Sequence, residues 1–195
     1  PVTHNGKVDR EALPALEPVV ASKRDGYVAP RNRTEKKLAE IWRALLGFES
    51  ISIHENFFDL GGHSLLAIRM FSKVEETFQK NIPLATLFEA GTIEKLAEIL
   101  SQENWREPES TIVPIQPKGS KPPLFCLHAK GGNVLFYRDL AKYLGEDQPF
   151  YGIQARRLGG RQVGHSTVEE LAEASITEIK TVQPVGPSST CGASS

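Results

Sequence analysis

The sequence has little that points to a membrane, a metal centre or a nucleic acid. Its 195 residues include only two cysteines, Cys126 and Cys191, which are too few for a disulfide scaffold or a structural zinc site. Lysines and arginines number 23 against 24 aspartates and glutamates, so no charge imbalance favours nucleic acid or an anionic membrane. The longest apolar run, around residues 124–127, is too short to cross a bilayer.

The ends of the sequence also lack the signals of a secreted protein. No basic segment followed by an apolar core opens the chain, so we expect no signal peptide and a cytoplasmic location. The composition, 39% hydrophobic and 24% charged, is that of a folded globular protein. The chain begins with Pro1 and ends at Ser195 directly after a glycine-rich turn. We therefore interpret it as a fragment of a longer protein.

Hydrophobic periodicity predicts a small helical bundle over residues 32–103. The apolar face of its first helix consists of Leu38, Ile41, Trp42 and Leu45. Gly47 marks the end of that helix, and a long central helix follows from residue 64. After a short helical turn, a further helix opens with Thr92 as its N-cap. Residues 1–31 are rich in prolines and turn dipeptides, which is typical of a tail or linker.

The apolar pattern changes after residues 104–118, a polar and proline-containing stretch that we interpret as a linker. Residues 124–127 and 150–153 are short apolar runs typical of buried strands, and a helical pattern lies between them. Residues 167–170 form a capping box that opens another helix, with Val168 and Ile179 among the residues expected on its inner face. This alternation predicts the beginning of a parallel α/β sheet. So few strands would be marginal alone.

Ser64 follows two glycines at the start of the central predicted helix. Serine is favoured at helix N-caps, which gives a purely structural interpretation. In the second interpretation its hydroxyl is exposed where free amides and the helix dipole favour a phosphodiester. The short pattern Gly-Gly-x-Ser does not by itself separate the two.

The longer run from Phe57 to Ala67 resembles the attachment motif of the peptidyl carrier, or thiolation, domains of nonribosomal peptide synthetases. The resemblance covers residues 32–103 and implies a four-helix carrier bundle. It implies that Ser64 bears a phosphopantetheine arm, transferred from coenzyme A by a phosphopantetheinyl transferase, whose thiol holds the growing chain. The residues implied to flank this site are Asp59, Gly61, Gly62 and His63.

Residues 1–20 resemble the end of an adenylation domain of the same synthetases, through the run from Asn5 to Arg10. The resemblance implies that Lys7 is the lysine that contacts the carboxylate and the adenylate during substrate activation. Because almost all of an adenylation domain is absent from this sequence, we expect no catalytic role for Lys7 here. Residues 21–31 then form a linker.

Residues 119–195 resemble the type I thioesterase that commonly ends such an assembly line, so we expect an incomplete α/β-hydrolase domain with a parallel sheet. Residues 123–132 match its first strand and glycine-rich loop, which implies an oxyanion-hole N–H at Ala129. The end of the chain resembles a nucleophile elbow with Ser194 as the nucleophile. The acid and histidine of such a triad follow the serine, whereas only Ser195 follows here. We expect no hydrolase activity from these residues.

The combined prediction is a fragment of a termination module that carries an aminoacyl or peptidyl thioester. Its expected partners are a phosphopantetheinyl transferase and the adenylation, condensation and thioesterase domains of the same assembly line, with no nucleic acid, metal or membrane. Three alternatives stay open: the carrier region of a polyketide or hybrid synthase, an active thioesterase once further sequence supplies an acid and a histidine, and a purely structural bundle. The adenylation-like tail favours the peptide version.

Overall fold

The computed structural model describes residues 26–103, 105–106, 108–129, 131–158, 161–162 and 167–192. The helical half contains α1 (Arg33–Leu46), α2 (Ser64–Phe78), α3 (Thr86–Glu89) and α4 (Ile93–Ser101). The sheet half contains β1 (Ile112–Gln116), β2 (Leu124–Leu127), α5 (Tyr137–Leu144), β3 (Phe150–Ile153), β4 (Arg157–Leu158), β5 (Arg161–Gln162), α6 (Val168–Val182) and β6 (Ser189–Gly192). No helix within the described ranges is long and apolar enough to cross a membrane.

Local sequence signals set the helix boundaries in the helical half. The Asn32 side chain caps α1 by accepting a hydrogen bond from the Glu35 N–H at 2.8 Å. Thr92 caps α4 by accepting from the Lys95 N–H at 3.3 Å, which confirms the predicted N-cap. Gly47 has a φ of 79° and ends α1 in the left-handed conformation, as predicted.

The helical half buries one core. Trp42 and Phe57 are fully buried and meet edge to face, with ring centroids 5.2 Å apart. The predicted apolar face of α1 is confirmed, since Leu38 is also fully buried and Ile41 and Leu45 pack against the same cluster. The helical bundle predicted from periodicity is therefore present.

A buried carboxylate ties the segment before α1 to α4. Glu35 is 2% exposed and accepts hydrogen bonds from the Arg31 backbone N–H at 2.6 Å and from its guanidinium at 2.9 Å. The same guanidinium donates to Glu94 of α4 at 2.6 Å. Because the Arg31 side chain stabilises the charged form, the pKa of Glu35 lies below its ordinary value.

The sheet half is built on a four-stranded sheet with the order β1-β3-β2-β6. Strands β3, β2 and β6 run parallel, whereas β1 pairs antiparallel with β3. The sheet is therefore mixed, and the prediction of a parallel sheet is wrong for β1. That strand lies inside the stretch 104–118 that we expected to be a linker. Pro114 interrupts its apolar pattern and is tolerated because β1 is an edge strand.

Two helices cover opposite faces of the sheet. On one face, Tyr137 and Ala141 of α5 join a buried cluster with Phe150 of β3. On the other face, Ile179 of α6 packs with Phe125 and Ile153. Ile179 thus faces inward as predicted, but the expectation for Val168 is wrong, because the first residue of α6 is 78% exposed. Only later residues of α6 contribute to the buried cluster.

Candidate functional site

The loop before α2 closes in successive turns that present Ser64 at the beginning of the helix. The Gly61 N–H donates to the carbonyl of Phe58 at 3.1 Å. The Gly62 N–H donates to the carbonyl of Phe57 at 2.9 Å. These bonds fix the backbone that immediately precedes the helix.

The two glycines of this loop are required for different reasons. A Cβ on Gly62 would lie 2.4 Å from the Phe57 ring and 2.5 Å from its carbonyl oxygen. Since Phe57 is fully buried, the ring cannot move aside. Gly61 has a φ of 89°, a left-handed conformation that other residues adopt at a cost. The motif therefore requires glycine at both positions.

Asn56 fixes the other side of the loop. Its Oδ1 accepts a hydrogen bond from the Phe58 N–H at 3.0 Å, and its backbone forms an isolated bridge with Thr92. The Phe57 N–H donates to the carbonyl of Gly91 at 2.8 Å. The loop is thereby tied to the start of α4. Asn56 was not among the residues predicted from sequence, although an asparagine that starts a turn is a known local signal.

Ser64 is the first residue of α2, and His63 occupies the N-cap position without a side-chain capping bond. In contrast, side chains cap α1, α4 and α6, and the capping residues are Asn32, Thr92 and Thr167. Ser64 is half-buried, and its hydroxyl makes no hydrogen bond with the residues that the structure describes. The interpretation of Ser64 as an N-cap is therefore not supported.

The first turn of α2 fits a phosphate group. It contains no acidic residue, and within the described ranges the N–H groups of Ser64, Leu65 and Leu66 have no acceptor. Free amides and the positive end of a helix dipole favour an anion at such a position. Asp59 and His63, which flank the turn, are both exposed. The residues present therefore match a phosphodiester on the Ser64 hydroxyl.

The sheet half places Ala129 just after the end of β2. A turn closed by the Gly132 N–H, which donates to the Ala129 carbonyl at 3.0 Å, follows the strand. The His128 N–H donates to the carbonyl of Ile153 at 2.8 Å, and His128 Nδ1 lies 3.0 Å from the Ala129 carbonyl oxygen. These contacts make His128 a residue that shapes the turn after β2.

Strands β2 and β6 are parallel neighbours, with Leu127 opposite Gly192. The two strands consequently end at the same edge of the sheet. Ser194 lies outside the described residues, and so does Lys7. Cys126 and Cys191 are also opposite each other and form a disulfide, with Cα atoms 4.7 Å apart. The sequence analysis did not predict this bond.

Two family models match the chain, the phosphopantetheine attachment site over residues 36–100 and the thioesterase domain over residues 122–193. Malpibaldin synthetase of Mortierella alpina is 43% identical over 189 residues, which are 96% of this chain and 3% of that protein. The dimodular nonribosomal peptide synthase of Bacillus subtilis strain 168 is 40% identical over 187 residues, which are 96% of this chain and 8% of that protein. The chain belongs to the nonribosomal peptide synthetases.

This synthetase chain comprises a carrier domain, which takes covalent phosphopantetheine as its cofactor, and a thioesterase region. A crystal structure of a four-domain nonribosomal peptide synthetase in its holo form, bound to AMP and glycine, is 31% identical, with a TM-score of 0.46. The match covers 98% of this chain and 14% of the chain in that structure. The chain thus spans a small part of the synthetases that it matches. The family assignment favours the peptide prediction over the polyketide alternative.

The carrier and thioesterase domains contact each other beside the Ser64 loop. The guanidinium carbon of Arg138 lies 4.3 Å from the centroid of the Phe58 ring. Arg138 Nη2 lies 3.7 Å from Asp59 Oδ1. Leu135 is 2% exposed and belongs to the same hydrophobic cluster as the carrier core. Neither Leu135 nor Arg138 was predicted from sequence, because no local pattern marks a contact between distant segments.

Proposed function

We propose that Ser64 bears the phosphopantetheine arm on which this part of the synthetase holds an aminoacyl or peptidyl thioester. The observation that carries the proposal is the position of Ser64 as the first residue of a helix without a side-chain cap. Gly61 and Gly62 allow the tight loop in front of it. Asp59 and His63 flank the serine on the surface, where a modifying enzyme would contact them.

Attachment needs only a nucleophile from this chain. The Ser64 oxygen attacks the phosphorus next to the pantetheine of coenzyme A, an O–P bond forms, and the bond to 3′,5′-adenosine diphosphate breaks. The hydroxyl proton passes to a base of the transferase. The free amides of the first turn then stabilise the anionic phosphodiester. When bound, the group supplies a thiol on a flexible arm that raises the effective concentration of its cargo at successive active sites.

The flanking regions receive roles in the same proposal. The Ala129 N–H contributes to the oxyanion hole of the thioesterase, Ser194 is its nucleophile, and Lys7 belongs to the end of an adenylation domain. The shared edge at which β2 and β6 end supports the thioesterase assignment. Partners are a phosphopantetheinyl transferase and the adenylation, condensation and thioesterase domains of one cytoplasmic assembly line.

We place the domain boundaries near those expected from sequence, with one change. Residues 1–20 form the adenylation tail, 21–31 a linker and 32–103 the carrier. Because β1 pairs with β3 inside the sheet, the thioesterase domain begins at or before Ile112 rather than at residue 119.

The test is the intact mass of the protein after incubation with coenzyme A and a promiscuous phosphopantetheinyl transferase. We expect one added phosphopantetheine on the wild type and none on Ser64→Ala. Ser72→Ala is the matched control, because Ser72 is an exposed serine on the same helix and should leave modification intact. No mass gain on the wild type, or an equal gain on Ser64→Ala, would overturn the proposal.

A further inference from the structure

The start of α5 presents a cation to an aromatic ring of the carrier domain. Arg138 stacks over Phe58 at 4.3 Å, and its side chain is only 20% exposed. A guanidinium over a ring face is attracted by the ring quadrupole, and partial burial strengthens that attraction. Asp59 adds a carboxylate at 3.7 Å from the same group. One side chain thus engages two consecutive residues of the loop that leads to Ser64.

The segment just before Arg138 divides its side chains between the two domains. Val134 is fully buried against the sheet, where a Cβ on Gly152 would lie 2.7 Å from the Val134 Cβ. Its neighbour Leu135 instead joins the hydrophobic cluster of the carrier domain. Phe58 and Phe88, whose ring centroids lie 6.2 Å apart, pack at the border of that cluster. The segment therefore fixes a carrier contact to the thioesterase sheet.

One hydrogen bond holds this segment to the strand that ends at the Ala129 turn, and another closes the segment on itself. The Tyr137 hydroxyl donates to the carbonyl of Leu127 at 2.7 Å. The Arg138 N–H donates to the carbonyl of Leu135 at 3.2 Å. Leu127 is the last residue of β2, two positions before Ala129. The carrier contact and the turn assigned to the oxyanion hole are therefore anchored to the same strand end.

A second contact between the domains lies beside α3. Residues of α3 and the preceding turn face β1 across a cleft of about 60 Å³, which has room for about two water molecules. The lining residues include Pro83, Ala85 and Thr86 on one side and Ile112, Val113 and Pro114 on the other. Ala85 and Phe88 of the carrier domain also pack against the buried cluster of the sheet, so Leu135 and Arg138 form one of two small contact regions. Stable interfaces bury roughly 800 Å² on each partner, whereas a contact made by a few side chains can open, as a carrier that visits several domains requires.

We propose that residues 133–138 of the thioesterase domain are a docking surface for Phe58 and Asp59 in the loop before Ser64 of the carrier domain. Docking holds the carrier reversibly next to the turn that follows β2. The surface recognises an aromatic ring followed by a carboxylate, through an apolar side chain and a guanidinium. This proposal goes beyond the attachment of phosphopantetheine, and its test does not depend on modification of Ser64.

The experiment measures hydrogen–deuterium exchange at the amides of residues 58–62 in the full chain. Arg138→Ala should speed their exchange about two- to fivefold, the loss expected for a partly exposed cation–aromatic contact. Phe58→Leu keeps an apolar side chain but removes the ring. Since it removes the same contact, the double variant should exchange no faster than the faster single variant. Lys142→Ala is the matched control, because Lys142 is exposed near the other end of α5 and should change nothing.

Unchanged exchange in Arg138→Ala, or fully additive effects of the two substitutions, would overturn the docking surface. Equal acceleration in Lys142→Ala would do so too, because it would show a general loosening of α5. The intact mass after transferase treatment is recorded for every variant. A wild type that gains no mass while Arg138→Ala still accelerates exchange contradicts only the role of Ser64. Normal mass gain with unchanged exchange contradicts only the docking surface.

Discussion

The carrier and thioesterase domains differ in how completely they bury their apolar side chains. The carrier closes one core around Trp42 and Phe57, and its exposed large apolar residues include Leu65 and Ile68 in the first turns of α2. In the thioesterase domain, the described residues that remain exposed include Tyr143 at 90%, Val168 at 78% and Ile176 at 51%. A helical bundle can complete its core within a short chain, whereas a sheet needs cover on both faces.

The difference indicates two units of unequal stability. The thioesterase core consists of two small clusters on opposite faces of the sheet, and one disulfide links its neighbouring strands β2 and β6. The carrier core is contiguous and ties its site loop to α4. We therefore expect separate unfolding transitions, with the thioesterase domain unfolding first. Both tryptophans, Trp42 and Trp105, belong to or pack against the carrier cluster, so tryptophan fluorescence reports on the carrier alone.

The largest expected effect comes from Phe57→Ala. Removal of this fully buried ring should destabilise the carrier by about 3–5 kcal/mol, because a large cavity is left in the core. Urea unfolding followed by tryptophan fluorescence measures the change. Val168 at the start of α6 is exposed. Val168→Ala should therefore change the free energy of unfolding of the thioesterase domain, followed by circular dichroism, by no more than about 0.5 kcal/mol. A single transition that shifts equally for both probes would remove the distinction between the two units.

The next largest effect concerns the disulfide between Cys126 and Cys191. These cysteines are 65 positions apart in the sequence, so the bond restricts the unfolded chain, and its loss should cost about 2–4 kcal/mol. Cys191→Ser should lower the stability of the thioesterase domain, followed by circular dichroism. It should leave the stability of the carrier domain, followed by tryptophan fluorescence, unchanged. Reduction of the wild type serves as the control and should reproduce the effect. An equal loss of carrier stability would show that the two domains unfold together.

The smallest effect is an opposite response of the two domains to pH. In the carrier, hydrogen bonds from Arg31 lower the pKa of Glu35. The stabilisation is therefore present above the unfolded value of about 4.3 and is lost as the pH falls through the folded pKa. In the thioesterase domain, burial raises the pKa of Tyr137. That contribution is present below the unfolded value of about 10 and is lost as the pH rises through the folded pKa.

Two conservative variants separate these responses. Glu35→Gln should reduce the loss of carrier stability at acid pH, which is measured by urea unfolding followed by tryptophan fluorescence. Tyr137→Phe should flatten the alkaline dependence of the circular dichroism transition and cost about 1 kcal/mol at neutral pH, because the hydrogen bond to the Leu127 carbonyl is lost. Urea unfolding over a series of pH values measures both. If each variant instead altered the pH dependence of the other domain's stability, the assignment of these pH effects to Glu35 and Tyr137 would be wrong.

Local signals in the sequence were enough for several helix ends and for the turn before Ser64. Gly47 predicted the end of α1, and Thr92 and Thr167 predicted the starts of two helices, because capping depends on neighbouring residues alone. The two glycines before Ser64 predicted a tight turn at the start of α2, and the structure has one. The chemical role of Ser64 remains a prediction.

Patterns failed where burial depends on distant neighbours. The helical pattern predicted between β2 and β3 is present as α5, but spacing alone did not identify Tyr137 and Ala141 as the residues that face the sheet. The edge strand β1 escaped detection because Pro114 and polar neighbours obscure a strand that is covered on one edge only. Periodicity indicates a helix or a strand, but it does not indicate which face another element will cover.

The sequence by itself determined where helices begin and end, that two unlike domains follow each other, and which serine stands at the start of α2. Only the tertiary structure decided that Gly62 must accommodate the Phe57 ring, that Asn56 binds the start of α4, and that β1 joins the sheet. The disulfide and the Arg138–Phe58 contact likewise depended on it. The physical reason is sequence distance: capping and turns act over a few residues, whereas these contacts join segments that only folding brings together.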